Sequence, residues 1–592
     1  MLRKALTSLP KTLDDTYARI LCNINDENSE DALKILQWLA YSARPLQIKE
    51  IAEVITVNTE HNPRFDPDRR FPEPRDILTI CSSLVTTTVG DSYDEIENSD
   101  DEMTGEQVRL AHFSVKEYLV SERIQVGSAS RYSLRKIHAN VSIAETCLAY
   151  LLQFDHPNSL ILQSFEEFPL AIYAAKYWTQ HAQYAGADMN AVHLLSMELF
   201  LQKKDAYLNW IRLFDPDRPW REPDISMSVE NNWESVPSPL YYASLTGLVE
   251  SVRVVLKYGA DVNAQGGSYG TALQAASVKG HDQIVQRLLE NGADVNAQGG
   301  HYGTALQAAS VKGHDQIVHQ LLENGANVNA QGGSFGTALQ AASSRGHDQV
   351  AHQLLKNGAD VNAQGGHYST ALQAASYGGY DQIVHWLLEN GANVSAQGGF
   401  FGTALQAASY GGHDLVVQRL LENGVDVNAH GGHYGSALQA ASVKGHDQIV
   451  HRLLESRADV NAQGGFFGTA LQAASSRGHD QVVHRLLENG ADVHTQGEHY
   501  GAVLQAASYE GHDQVVHRLL ENGADVHAQG GHYGTALQAA SAGGHNRVVH
   551  RLLENGADVN AQGGHYGTAL LAASIRGHYQ IVQRLKSALR SQ

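Results

Sequence analysis

Histidine is the side chain whose abundance first invites chemistry. Twenty-five of the 31 histidines lie beyond residue 237, and one series (His281, His314, His347) steps by 33 residues. Imidazole ligates metals and moves protons near neutral pH. Zinc needs three or four ligands converging on one ion. One histidine per 33-residue layer does not converge, so no metal is expected. Ser, His and Asp are plentiful, but no nucleophile elbow or H-E-x-x-H helix stands out. Nowhere does Gly precede Lys, so the phosphate-cradling G-x-x-x-x-G-K-[ST] loop is absent. Neither a catalytic site nor a cofactor is expected.

Composition narrows the class further. Three widely spaced cysteines (Cys22, Cys81, Cys147) make no disulfide framework, which fits a reducing compartment, cytoplasm or nucleus. No apolar run approaches the length of a membrane span, and Met1 to Lys4 lacks a signal-peptide pattern. The net charge of −20 opposes general nucleic-acid binding. Only four of 55 glycines precede residue 238, whereas twelve of 13 prolines do. Two regions of different origin therefore meet near residue 237.

The second region is a repeat. Thr271-Ala272-Leu273 recurs at Thr304, Thr337, Thr370, Thr403, Thr469, Thr535 and Thr568, with Ser436 and Ala502 in register. Counting Ser238-Pro239-Leu240, eleven 33-residue units run to the C-terminus. In one unit, Thr304 caps a short helix rich in small residues and Gly313 ends it. His314-Asp315 opens a second helix with its apolar face at Ile317, Val318, Leu321 and Leu322. A unit this small must stack on neighbours to bury that face.

Period, Gly-His, the Leu-Leu pair and Asn291 to Ala297 (N-G-A-D-V-N-A) resemble the ankyrin repeat over residues 238–592. Thr-Ala-Leu-Gln stands where that family usually has T-P-L-H, so Gln274 and its equivalents must supply the hydrogen bonds of the family histidine. Arg457 stands where glycine is preferred, at a local cost of about 1 kcal/mol. The first and last units read as caps, and the array reads as complete at its C-terminus.

The variable positions carry the functional clue. Before the mid-repeat glycine stand Lys312, Arg345, Tyr377, Tyr410, Lys444, Arg477 and Tyr509; the hairpins carry Tyr302, Phe335, Tyr368, Phe401, Tyr434 and Phe467. The resemblance implies that both sets line a concave protein-binding face. The hairpin rings are either a binding strip or packing between fingers. Helical layers roughly 8–10 Å apart argue against a continuous ring stack, so each ring is expected to cover a neighbouring Gly-Gly turn.

Residues 1–125 read as a small α+β unit. Helices are expected at Leu33–Ala40, Ile48–Ile55 and Asp76–Ile80, strands at Leu84–Val89 and Gln107–His112, and a capping box at Ser114–Glu117. The acid-rich wing 91–106 is expected to be disordered. The segments Leu9 to Tyr17, Trp38 to Leu46 and Arg109 to Leu119 resemble the winged helix that follows the NACHT NTPase in fungal STAND (NLR-like) proteins. Pro169 to Trp178 resembles the helical connector after it, here 126–237.

The expected architecture is mainly α: an ankyrin solenoid behind a winged-helix domain and a helical connector. Its expected function is protein–protein recognition as the sensor half of such a protein, the NTPase being absent from the chain. The alternatives are the C-terminal part of a nucleotide-switched NTPase and, less favoured given the acidity, a winged-helix DNA-binding regulator.

Overall fold

The computed structural model describes residues 12–81, 83–89, 106–156, 159–160, 167–184, 190–223, 236–497 and 501–591. The acidic segment 91–105 lies outside them. The chain forms two compact units, Met1–Asp294 and Val295–Gln592.

The first unit opens with α1 (Leu13–Cys22), α2 (Ser29–Tyr41), β1 (Leu46–Gln47) and α3 (Ile48–Val54). β2 (Val85–Val89) and β3 (Glu106–Leu110) pair antiparallel in the register Val85↔Leu110 to Val89↔Glu106. β1 adds to the free edge of β3, giving the order β1-β3-β2. Arg44-Pro45 ends the preceding helix and leads the chain straight into this short third strand. Pro74–Thr79 is a 3₁₀ helix, not the α-helix expected. Proline starts it and the Cys81–Leu84 turn follows at once, leaving too few residues for a stable α-helix. The expected capping box is also replaced. α4 (Phe113–Val120) is capped by His112, whose Nδ1 accepts from the Ser114 amide at 3.2 Å. The Ser114 hydroxyl instead meets Tyr17 at 2.7 Å.

Behind this lie α5 (Lys136–Leu151) and α6 (Ala171–Ala182), followed by Asn190–Met197 and Lys204–Leu213. The segments that carried the resemblance lock together here. The Ala43 amide donates to the Tyr173 hydroxyl at 2.9 Å, which lies 3.0 Å from His181 Nε2. His181 Nδ1 reaches Asn140 Oδ1 at 2.7 Å, and the Asn140 amide donates to the Lys136 carbonyl. Glu53, buried, is gripped by Nε and Nη2 of Arg70 and by the Tyr150 hydroxyl at 2.8 Å, so its charge is fully partnered.

The first helix pair, Pro239–Leu245 and Val249–Lys257, is not a solvent-facing cap. Tyr241 and Tyr242 are buried and donate to Asp217 and Asp215 at 2.7 and 2.8 Å, and Trp210 packs on Tyr242. The connector supplies this cover, which local sequence cannot reveal.

In the second unit, nine helix pairs follow at 33-residue steps among the described residues, from Ala305–Lys312 with Asp315–Glu323 to Ala569–Ile575 with Tyr579–Ser591. Inner helices are small and buried; outer helices bury one stripe, Ile317, Val318 and Leu321 in the first pair. Gln307 performs the bridging role expected of it. Its Oε1 accepts from the Thr304 amide at 2.7 Å, and its amide donates to the carbonyls of Gly332 and Gly336 in the next layer at 3.1 and 2.6 Å. The Gly-His histidines are cross-layer ties as well. His347 Nε2 meets the Val311 carbonyl at 3.1 Å while its ring covers Gly313, whose φ of +76° and lack of Cβ both permit the approach. At the far end Leu571, Ile575 and Tyr579 are exposed, so the last layer does not have a wholly polar face.

Candidate protein-recognition surface

The surface is built where each inner helix ends and each Gly-Gly hairpin turns. Tyr302 and Phe335 lie ring over ring, 6.2 Å apart and 19° from parallel. Further along, rings run without a break from Tyr368 to Tyr377 (5.6 Å), Phe401 (4.7 Å), Tyr410 (5.4 Å) and Tyr434 (4.6 Å). The expectation against a continuous ring stack is overturned in the layers from Tyr368 to Tyr434. Helix axes set the distance between layers, but hairpin rings of successive layers approach to 6.2–6.4 Å, and the tyrosine at the inner-helix end packs against both, as Tyr410 does on Phe401 and Tyr434. Tyr509 does the same against Tyr533 at 4.1 Å.

The hairpin residues divide by exposure. Phe401, Tyr434 and Phe467 are 7%, 6% and 8% exposed, one core with Ala407, Ala440, Val443 and Ala473. Tyr302, Phe335 and Tyr368 are half-buried. Tyr377 is 36% exposed and lies open on this platform. Where the inner helix ends in a cation, the same platform carries it. Arg345 lies 5.7 Å over Phe335, Lys444 4.6 Å over Tyr410, and Arg477 5.5 Å over Phe467. Lys312 is exposed at the equivalent place. Burial opposes ionisation of Tyr410, but the Tyr434 hydroxyl and the Lys444 ammonium outweigh it and hold that phenol below its ordinary value.

A second row of rings, outside the expected site residues, lies beside the first. Phe400, His433 and Phe466 stack at 5.0 and 5.6 Å on exposed hairpin tips, and His433 and Phe466 each donate a backbone N–H to the tip before. Repetition of Phe or His just before most hairpin rings was the available signal. Gly332–Gly336 does spell G-x-S-x-G, but as a hairpin closed by Gly332 and Gly336, with the Ser334 hydroxyl toward the His301 carbonyl rather than a base.

Charge separates across the unit. On the outer helices Arg419, Arg452, Arg485, Arg518 and Arg551 each grip the Asp 38 residues earlier through two bonds of 2.7–2.9 Å. On the inner side, Lys312, Arg345, Lys444 and Arg477 have no carboxylate partner among the described residues. Also among these residues, no three His, Cys, Asp or Glu side chains are placed to hold a metal ion, and no helix is long and apolar enough to cross a membrane.

This stack of capped helix pairs, joined through glutamine and histidine, defines a repeat protein of the ankyrin class. A family profile described as "Ankyrin repeats (3 copies)" matches overlapping stretches from 223–299 to 503–590, and the chain belongs to that family. A second profile, "GPI inositol-deacylase, winged helix domain", matches residues 17–135. The chain is 42% identical over 282 residues to the "Azaphilone pigments biosynthesis cluster protein L" of Monascus ruber, which is 46% of this chain and 57% of that protein. It thus spans little more than half the length of this curated relative. Among solved structures, the human ASB11 ankyrin repeat domain is 28% identical, covering 38% of this chain and 99% of that one, with a TM-score of 0.33.

Proposed function

We propose that the chain is a non-catalytic protein-recognition module whose inner-helix face grips a partner, and that it serves as the sensor half of a fungal NLR-like (STAND) protein. The observation that carries this reading is the ring platform. It presents Tyr377 and four cations that have no carboxylate partner among the described residues on a rigid, repeated frame, the aromatic-and-cation composition found at the centre of protein interfaces. The match of 17–135 to a winged-helix family and the likeness of Pro169 to Trp178 to a STAND connector support the sensor role. The place of action is the cytoplasm or nucleus, which a fluorescent fusion in the native host tests.

The test of recognition uses immobilised full-length protein and a Tyr377→Ala/Tyr410→Ala variant of equal melting temperature. A partner retained by the first and lost from the second supports the reading. A partner retained equally by both, or none, overturns it.

A further inference from the structure

We infer that the segment held on this face is an extended peptide, acidic at both ends and apolar in the middle. The inference rests on the reading of the face as a protein-binding surface and adds the partner's chemistry. In layer order the inner-helix ends read Lys312, Arg345, Tyr377, Tyr410, Lys444, Arg477. Two cationic layers flank two tyrosine layers, which are flanked again by two cationic ones.

Four observations favour this occupant. The inner helices and Gly-Gly hairpins from Ala305 to Arg477 contain no Asp or Glu, so no acid of their own answers these cations. By contrast, the outer arginines Arg419, Arg452, Arg485, Arg518 and Arg551 are each engaged by an aspartate. The charged heads of Arg345, Lys444 and Arg477 rest over ring faces, at 5.7, 4.6 and 5.5 Å, which fixes them in place while the side chains stay exposed. Between the cationic pairs, Tyr377 offers 36% of its surface.

The spacing sets the length of the segment. Four layers separate the middles of the two cationic pairs, ~32–40 Å at the usual interhelix distance. An extended chain covers this in about 10–12 residues. A nucleic acid would also suit cations and rings. However, the second unit carries 16 Lys and Arg against 22 Asp and Glu, and a long polyanion is repelled by that field while a short peptide meets only the strip.

The experiment measures anisotropy of labelled 14-residue peptides with the full chain. The peptides have Glu-Asp ends and a Phe-Leu centre, Gln ends with that centre, or Glu-Asp ends with a Gly-Ser centre. The first is expected to bind, and the other two to bind about tenfold or more weakly. The quadruple reversal K312E/R345E/K444E/R477E is expected to lose the acidic peptide and to gain a Lys-ended one, a gain that an unfolded variant cannot show. Equal binding of the Gln-ended peptide, indifference to the reversal, or tighter binding of polyuridylate RNA at the same residues overturns the proposal. A captured partner that depends on Tyr377 and Tyr410 but withstands the reversal removes the acidic class and leaves recognition standing. If neither peptide nor partner depends on these six residues, recognition itself falls.

Discussion

The Arg452 guanidinium closes on the Asp414 carboxylate with two parallel bonds, Nε to Oδ1 at 2.9 Å and Nη2 to Oδ2 at 2.8 Å. Asp414 stands at the start of its outer helix, where negative charge also suits the helix dipole, and Arg452 lies one layer further on. Five such rungs join consecutive layers, from Asp381–Arg419 to Asp513–Arg551. Gln353 and Trp386 occupy the arginine place before the ladder, and Asn546 replaces the aspartate beyond it. In a stacked array the rungs act on the interfaces between layers, where cooperativity resides.

The ladder predicts an acid-sensitive segment. The hydrogen bonds and charge of their arginines hold Asp447, Asp480 and Asp513 below the usual carboxylate range. A depressed folded pKa means that the stability is present above the unfolded value of about 3.9 and is lost as pH falls through the folded one. Partial exposure keeps each rung modest, about 0.5–1 kcal/mol. Urea midpoints should therefore fall below pH ~4, and R485A/R518A/R551A should flatten that fall. An unchanged slope would remove the rungs from the account.

Gln406 ties its own helix cap to the next hairpin. It accepts from the Thr403 amide at 2.6 Å and donates to the Gly431 and Gly435 carbonyls at 3.1 and 2.6 Å, wholly buried. Gln406→Ala removes these three bonds, leaving Gly435 only the Gly431 amide that closes the hairpin, a loss of about 2–4 kcal/mol. Amide exchange should accelerate in Gly431–Gly435 before the outer helices respond. Protection unchanged there would show that another group holds the hairpin.

His181 makes the first unit sensitive to mild acid. Burial pushes its imidazole down to about 4 from an ordinary 6.5, and its partners Tyr173 and Asn140 are neutral. The unfolded chain takes the proton first, so stability present above pH 6.5 is lost progressively toward pH 4. Ring-proton titration by NMR should place His181 near the lower value. A midpoint near 6.5 would contradict the buried relay.

Serines in the inner helices mark the reverse case. Ser409 is fully buried and its hydroxyl finds no hydrogen-bond partner. Removing an unsatisfied hydroxyl should be neutral or stabilising by up to about 1 kcal/mol. Calorimetry of Ser409→Ala checks this, and a clear drop in melting temperature would reveal a bond to the helix backbone.

Much of this was legible because repeat proteins make local and tertiary spacing coincide. Thr caps, Gly-His and the bonding Gln each recur at 33 residues, so their places in the unit could be read, whereas the reach of His347 to the Val311 carbonyl of the layer before could not. The arginine ladder was equally periodic but paired residues 38 apart in different helices, which a reading within one unit does not compare. The ring stack was misjudged because helix spacing says little about how far a tyrosine reaches. Tyr241 and Tyr242 looked like a cap until Asp215 and Asp217, more than 20 residues upstream, supplied their partners. Of the candidate surface, the residue types and their spacing stood in the sequence, whereas the burial of Phe401, Tyr434 and Phe467 did not.

Arg457 offers a clean measure of one backbone conformation. It adopts φ +65° at the end of its outer helix, where the equivalent Gly490 has φ +86°. A Cβ added at Gly490 would meet nothing within 4 Å, so crowding plays no part at this place in the repeat. The whole cost of a side chain is therefore the left-handed backbone, about 1 kcal/mol. Arg457→Gly should raise stability by about that amount, and Gly490→Arg should lower it equally. Gly478→Ala should cost more than either, because its Cβ would come within 2.4 Å of the His512 ring as well as adopting φ +74°. Urea denaturation of the three variants decides the point. Equal losses at Gly490 and Gly478 would mean that the histidine moves aside freely, and the Gly-His contact would then not hold the layers in register.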